Sequence, residues 1–217
     1  MARNSSNYFN NHNGTKPPTM IFILMGLNIL VYALHVANMK NAPWAEAVKE
    51  KLQKAPPLLS SLSEATLETM TLVPGDFYRA PREKWPTIVG SMFTHANLAH
   101  LLFNMAALYK FGRPLEHALG PLRVLLIYMA SGLGTNLIYA VGNRKSQVGI
   151  VGASAAISGI SAAYFLEYAD RRSMRTWLMF QITGALLAQG SGVSFVSHLI
   201  GFAIGALVYT LLQLFQK

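Results

Sequence analysis

Apolar stretches close to membrane-spanning length recur along this chain, and that recurrence constrains it more than any other feature. A hydrocarbon core of roughly 30 Å takes about 20 helical residues to cross. In lipid the backbone must satisfy its own hydrogen bonds, so such stretches fold as helices and not as open sheets. Six stretches qualify: Met20 to about Ala37, Met92 to Phe111, Pro121 to Val141, Gly149 to Tyr168, Thr176 to Ala188, and Gly192 to Phe215. The fifth is short and carries Gln181, with Gln189 at its end. Only 12% of the residues are charged, about half the usual share of a soluble domain. The first stretch is too long for a cleaved signal peptide, and it reads as a retained helix.

Between the first and second stretches lies a polar region from about residue 38 to 85. Ser61 with Glu64 fits a capping box at a helix start. Leu62, Leu67, Met70 and Leu72 then suit a short helix along the membrane surface, and Trp44, Tyr78 and Trp85 suit the polar boundary. Residues 1–19 form a polar tail, and residues 20–217 form one helical domain.

The net charge is +9. Its Lys and Arg residues are scattered between apolar segments and build no aromatic-interleaved patch, which argues against a nucleic-acid partner. They read instead as topology signals. With the N-terminus inside, the inner segments carry Arg3, Lys16, Lys110, Arg113, Arg123, Arg171, Arg172, Arg175 and Lys217, while the short outer loops carry Arg144 and Lys145. Both termini are therefore expected on the cytoplasmic side of a bacterial-type inner or plasma membrane. The chain has no cysteine, which excludes disulfides and thiolate chemistry.

Polar side chains are costly in a bilayer, so each one placed there needs a reason. His95, His100 and Asn104 occupy the second stretch. His100 and Asn104 are four apart, on one helical face, where they can act as paired donors or as polar glue between helices. Ser154 follows Gly149 and Gly152 where a loop becomes a helix, so the unpaired amides of the first turn can serve an oxyanion. The same serine belongs to a small-residue surface with Ala155, Ser158, Gly159, Ala162 and Ala163 that suits any close helix crossing. His198 shares one stripe of the sixth helix with Gly201 and Gly205. If that stripe meets the small face of the fourth helix, His198 and Ser154 come within the reach that nucleophile activation requires.

Three motifs in order resemble the rhomboid intramembrane proteases: His95-Ala-Asn-Leu-Ala-His100-Leu-Leu-Phe-Asn104, Gly152-Ala153-Ser154, and His198-Leu-Ile-Gly201-Phe-Ala-Ile-Gly205. The resemblance implies an all-α membrane protein, a six-transmembrane-helix rhomboid-like bundle with a long first loop. It implies an endopeptidase acting on transmembrane protein substrates within the lipid bilayer. Ser154 would be the nucleophile and His198 the general base, with the Ser154 amide, His100 and Asn104 at the oxyanion, His95 and Gly152 in support, and Gly201 and Gly205 packing the helices. No acidic residue lies deep in a span, so a dyad is expected and not a triad.

The chemistry needs no cofactor and no metal. Zinc and aspartyl intramembrane proteases lack their signatures here, which leaves a site built from His95, His100 and His198 as the remaining metal reading. Ala155 stands where many members have glycine, Ser158 where many have an aromatic ring against the histidine, and Trp85-Pro86 departs from the first-loop pattern. The alternative functions are a non-catalytic rhomboid-like protein that binds and escorts transmembrane clients, and a transporter or channel. The weakly apolar fifth helix suggests a further expectation, that it swings aside to admit substrate.

Overall fold

The computed structural model describes residues 17–38, 70–187 and 194–215. Among them every regular element is helical. Helix α1 covers Thr19–Asn38. Three short helices come next, two within the first loop and one after it: α2 (Pro74–Arg79), α3 (Pro81–Lys84) and α4 (Pro86–Gly90). Each opens on a proline, whose fixed φ and missing N–H suit the first helical position. Helix α5 (Leu98–Ala107) runs through a π-helical segment (Leu108–Gly112) into α6 (Arg113–Leu119). The long helices are α7 (Pro121–Gly142), α8 (Ser154–Glu167), α9 (Arg171–Leu187) and α10 (Phe195–Leu214). By length and composition α7 and α10 can each cross a bilayer, and α1 carries a shorter apolar run, Thr19–His35.

Helix α8 is the hub. Nearly every one of its side chains is buried, as expected of a helix enclosed by others and not by lipid. Its small residues set the close packing. A methyl group added at Gly201 would collide with the Ala155 carbonyl, and one at Gly205 with the Gly159 backbone. Gly159 itself faces both Ser131 of α7 and the Gly201 carbonyl of α10. Without a hydrophobic drive between helices in lipid, such backbone contact is what holds them together. The stripe of α10 that carries His198 therefore meets the small face of α8, as its spacing suggests.

Polar contacts join the remaining helices. The buried Glu116 carboxylate of α6 accepts the Met20 amide at 2.9 Å and the Ile21 amide at 2.8 Å, which supplies partners for two donors that a helix start otherwise leaves free. Buried Glu167 accepts from the Tyr209 hydroxyl of α10 at 2.9 Å. Helix α8 ends with Ala169 at a φ of 52°, and the Asp170 amide folds back to the Phe165 carbonyl at 3.0 Å. Asp170 Oδ1 then accepts the Ser173 amide at 3.1 Å and caps α9.

Three helix starts and one loop assignment differ from the sequence expectation. The second helix starts at Leu98 and not near Met92, because Asn97 Oδ1 accepts the His100 amide at 2.8 Å and caps it there. His95 consequently lies in the preceding loop. The fourth helix begins at Ser154, because Ile150 pairs with Leu72 in an antiparallel bridge that keeps the segment before it extended. The fifth begins at Arg171, where Asp170 caps it. Met70 and Leu72 lie on no surface helix: Leu72 is fully buried in that bridge. Trp44, Ser61, Leu62, Glu64, Leu67 and Gln189 fall outside the described residues.

Candidate active site

Ser154 is the first residue of α8, and the turn before it depends on Gly152, at a φ of 122°. That value lies where side chains are strained. A methyl group there would also stand 2.7 Å from His100 Cε1 and 2.9 Å from its Nε2. The Gly152 amide donates to the Ser91 carbonyl at 2.8 Å. Asn136 of α7 holds the same corner, with its amide nitrogen 2.7 Å from the Ile88 carbonyl and 2.9 Å from Ser91 Oγ.

His198 lies one turn into α10, and its Nε2 is 2.8 Å from Ser154 Oγ. Its other nitrogen, Nδ1, is 2.9 Å from Gln181 Oε1 of α9. The Phe195 ring meets the imidazole edge-on, with centroids 6.1 Å apart. A hydroxyl and an imidazole at this separation are arranged for proton transfer from the one to the other. Ser158 Oγ donates to the Ser154 carbonyl at 2.7 Å, so the residue that replaces an aromatic ring is spent on the helix backbone. Phe195 and Gln181 provide the support for the histidine that the sequence left unassigned.

A cavity of about 790 Å³ opens between α5, α8, α9 and α10, with His100, Asn104, Ser154, Phe180, Gln181 and His198 on its wall. His100 and Asn104 thus reach the same space as the serine. In this arrangement one Asn104 amide hydrogen goes to the His100 carbonyl at 2.9 Å. His95 is fully buried beside His100, the rings edge-to-face at 5.0 Å. The three histidines form no metal site: among the described residues no three metal-ligating side chains cluster, and both nitrogens of His198 are engaged.

Sequence reasoning missed Gln181, Phe195 and Asn136. Gln181 was visible only as polarity in a short span. The one signal for its orientation was its spacing from Gly184, three residues on, which puts both on one helical face.

A serine hydroxyl and an imidazole in hydrogen-bond contact on a cavity wall make this an all-helical protein with a candidate nucleophile and base at one site. The rhomboid domain model matches residues 82–214 of the chain. The chain belongs to the rhomboid family and is an integral membrane protein. It is 32% identical over 163 residues to rhomboid protease AarA of Providencia stuartii, which covers 62% of this chain and 55% of that protein. It is 30% identical over 134 residues to the putative rhomboid protease YdcA of Bacillus subtilis, covering 58% and 66% respectively. It is also 35% identical over 105 residues to the mitochondrial RHOMBOID-like protein 6 of Arabidopsis thaliana, covering 48% and 33%. The chain thus spans between a third and two thirds of these relatives' lengths. No solved structure matches it.

Proposed function

We propose that this chain is an intramembrane serine endopeptidase that cuts transmembrane or membrane-proximal segments of membrane proteins. The observation that carries the reading is the 2.8 Å separation of Ser154 Oγ and His198 Nε2 on the cavity wall. Ser154 attacks the peptide carbonyl while His198 takes its proton, and the imidazolium then gives that proton to the leaving amine. Water hydrolyses the acyl-enzyme with His198 again as base. Charge on the carbonyl oxygen is met by the Ser154 amide with His100 and Asn104. Asn104 has a second amide hydrogen to offer.

In this reading residues 20–217 form one catalytic domain after a polar tail, and six helical segments span the membrane: α1, α5 with its π-helical continuation to Gly112, α7, α8, α9 and α10. Lys110, Arg113, Arg123, Arg171, Arg172 and Arg175 then fall on one side, which supports cytoplasmic termini. Substrate helices enter between α5 and α9, where Phe103 and Phe180 border the cavity and are largely exposed. A fluorophosphonate probe tests the reading, because it labels only an activated serine. The wild-type protein is expected to label and to cleave a single-span substrate, and Ser154→Ala and His198→Ala are expected to do neither. A folded wild-type protein that does not react leaves the non-catalytic escort role.

A further inference from the structure

Helix α9 buries one side chain, Gln181, which is 5% exposed. Four of its apolar residues are turned outward: Met179, Phe180, Leu186 and Leu187 are all more than half exposed. A primary amide shielded in this way costs free energy unless it is paired, and its partner is the imidazole of His198 at 2.9 Å. Trp177, Gln181 and Gly184 recur at helical spacing and form the face that α9 turns to α10. Trp177 stacks on Phe202 at 4.7 Å, and Gly184 leaves room for the Phe195 ring. The amide is thereby carried to the imidazole by contacts on either side of it.

We propose that Gln181 is a positioning residue whose amide oxygen holds His198 in the tautomer that serves Ser154, so the base is competent only while α9 is seated against α10. The inference rests on the proteolytic reading above. Histidine has two neutral forms, and the form present is set by the hydrogen bond made by the nitrogen that does not react. An amide oxygen only accepts, so Nδ1 carries the hydrogen and Nε2 turns a lone pair to the Ser154 hydroxyl. In serine proteases with a triad a buried aspartate does this work. Here the buried carboxylates Glu116 and Glu167 are engaged with the α1 amides and with Tyr209. A neutral acceptor fixes the ring without adding a charge to the membrane interior, where charges are costly.

The test compares Gln181→Leu and Gln181→Met, which keep much of the volume and lose the acceptor, with Gln181→Glu, which keeps an acceptor oxygen. With the purified full chain, both apolar variants are expected to lower kcat and the rate of fluorophosphonate labelling about tenfold, with KM unchanged, and Gln181→Glu to stay within about threefold of wild type. Nitrogen-15 spectra of the histidine rings, with His198 assigned by its loss in His198→Ala, are expected to show hydrogen on Nδ1 in the wild type and mixed tautomers in the apolar variants.

Apolar variants within about twofold of wild type, a Gln181→Glu variant as slow as they are, or a wild-type ring protonated at Nε2 alone would overturn the proposal. A wild type that neither labels nor cleaves, yet holds the Nδ1 form and loses it in Gln181→Leu, would leave Gln181 as the orienting group. In that case only the protease reading falls.

Discussion

Two contacts of α10 stand in contrast. Against α8 it packs backbone on backbone, with Gly201 on the Ala155 carbonyl and Gly205 on the Gly159 backbone. Against α9 it packs through side chains: a stacked Trp177 and Phe202, the Phe195 ring over Gly184, and the bond from His198 to Gln181. Backbone contacts between two helices cannot yield without moving a whole helix. Side-chain contacts can yield by rotation of a ring. Ser154 and His198, the proposed nucleophile and base, sit across the rigid contact, where a displacement of about 1 Å is the kind of error that costs a catalytic site most of its rate. Gln181, the group proposed to orient His198, sits across the yielding one.

The largest expected effect breaks the rigid contact. Gly201→Val and Gly205→Val each drive a branched side chain into the α8 backbone, which must move because no neighbouring side chain can turn away. Overpacking of this kind costs about 1–3 kcal/mol, and it also parts Ser154 from His198. Cleavage of a transmembrane substrate is expected to fall by about 100-fold or more in each variant, together with a lower thermal midpoint. Near-normal turnover in either would mean that the α8–α10 crossing does not set the distance between the pair.

A smaller effect is expected where the rigid region meets the loop that feeds it. Gly152→Ala meets two obstacles, a backbone φ of 122° and the His100 ring 2.7 Å from the new methyl group. Holding a residue with a side chain in so sparsely populated a backbone region costs about 1–3 kcal/mol, and the imidazole has to turn as well. The α8–α10 crossing is untouched, so activity should suffer more than folding: kcat is expected to fall about 10- to 100-fold with only a modest drop in thermal midpoint. If stability falls as much as in Gly201→Val while kcat holds, this turn serves the fold and not the oxyanion.

The same contrast separates what the sequence reveals from what it hides. Ser154 and His198 are legible because the small residues around each are spaced for one helical face, and a face of small residues has few options in lipid other than another such face. Helices α7 and α10 are legible from apolar length alone. Gln181 is not, because polarity in a short span shows that a residue needs a partner without showing which. The start at Leu98 is masked by Met92 and Phe93, which prolong the apolar run beyond the real boundary, although Asn97 is a good capping residue just before it. The extended stretch at Leu72 is hidden for another reason: its partner Ile150 lies far along the chain, and local pattern holds no trace of a long-range pair.

The smallest expected effect tests the yielding contact. A methyl group at Gly184 would also meet an obstacle, but the obstacle is the end of the Phe195 ring and not a backbone atom. The ring can turn aside, and alanine favours the helix over glycine by about 0.8–1.0 kcal/mol. These terms oppose each other, so Gly184→Ala should change the thermal midpoint little. Its signature is catalytic: a displaced Phe195 ring releases one side of His198 and eases α9 outward, which lengthens the contact to Gln181. We expect kcat to drop about two- to fivefold while the α8–α10 crossing stays intact, since a single neutral hydrogen bond is worth only about 1 kcal/mol. Combining Gly184→Ala with Gln181→Leu sharpens the point. If both act through the orientation of His198, the double variant should be scarcely slower than Gln181→Leu alone, because the bond that the glycine change weakens is already gone. Losses that multiply would show that the two residues touch the site independently, and that α9 bears on it through more than its glutamine.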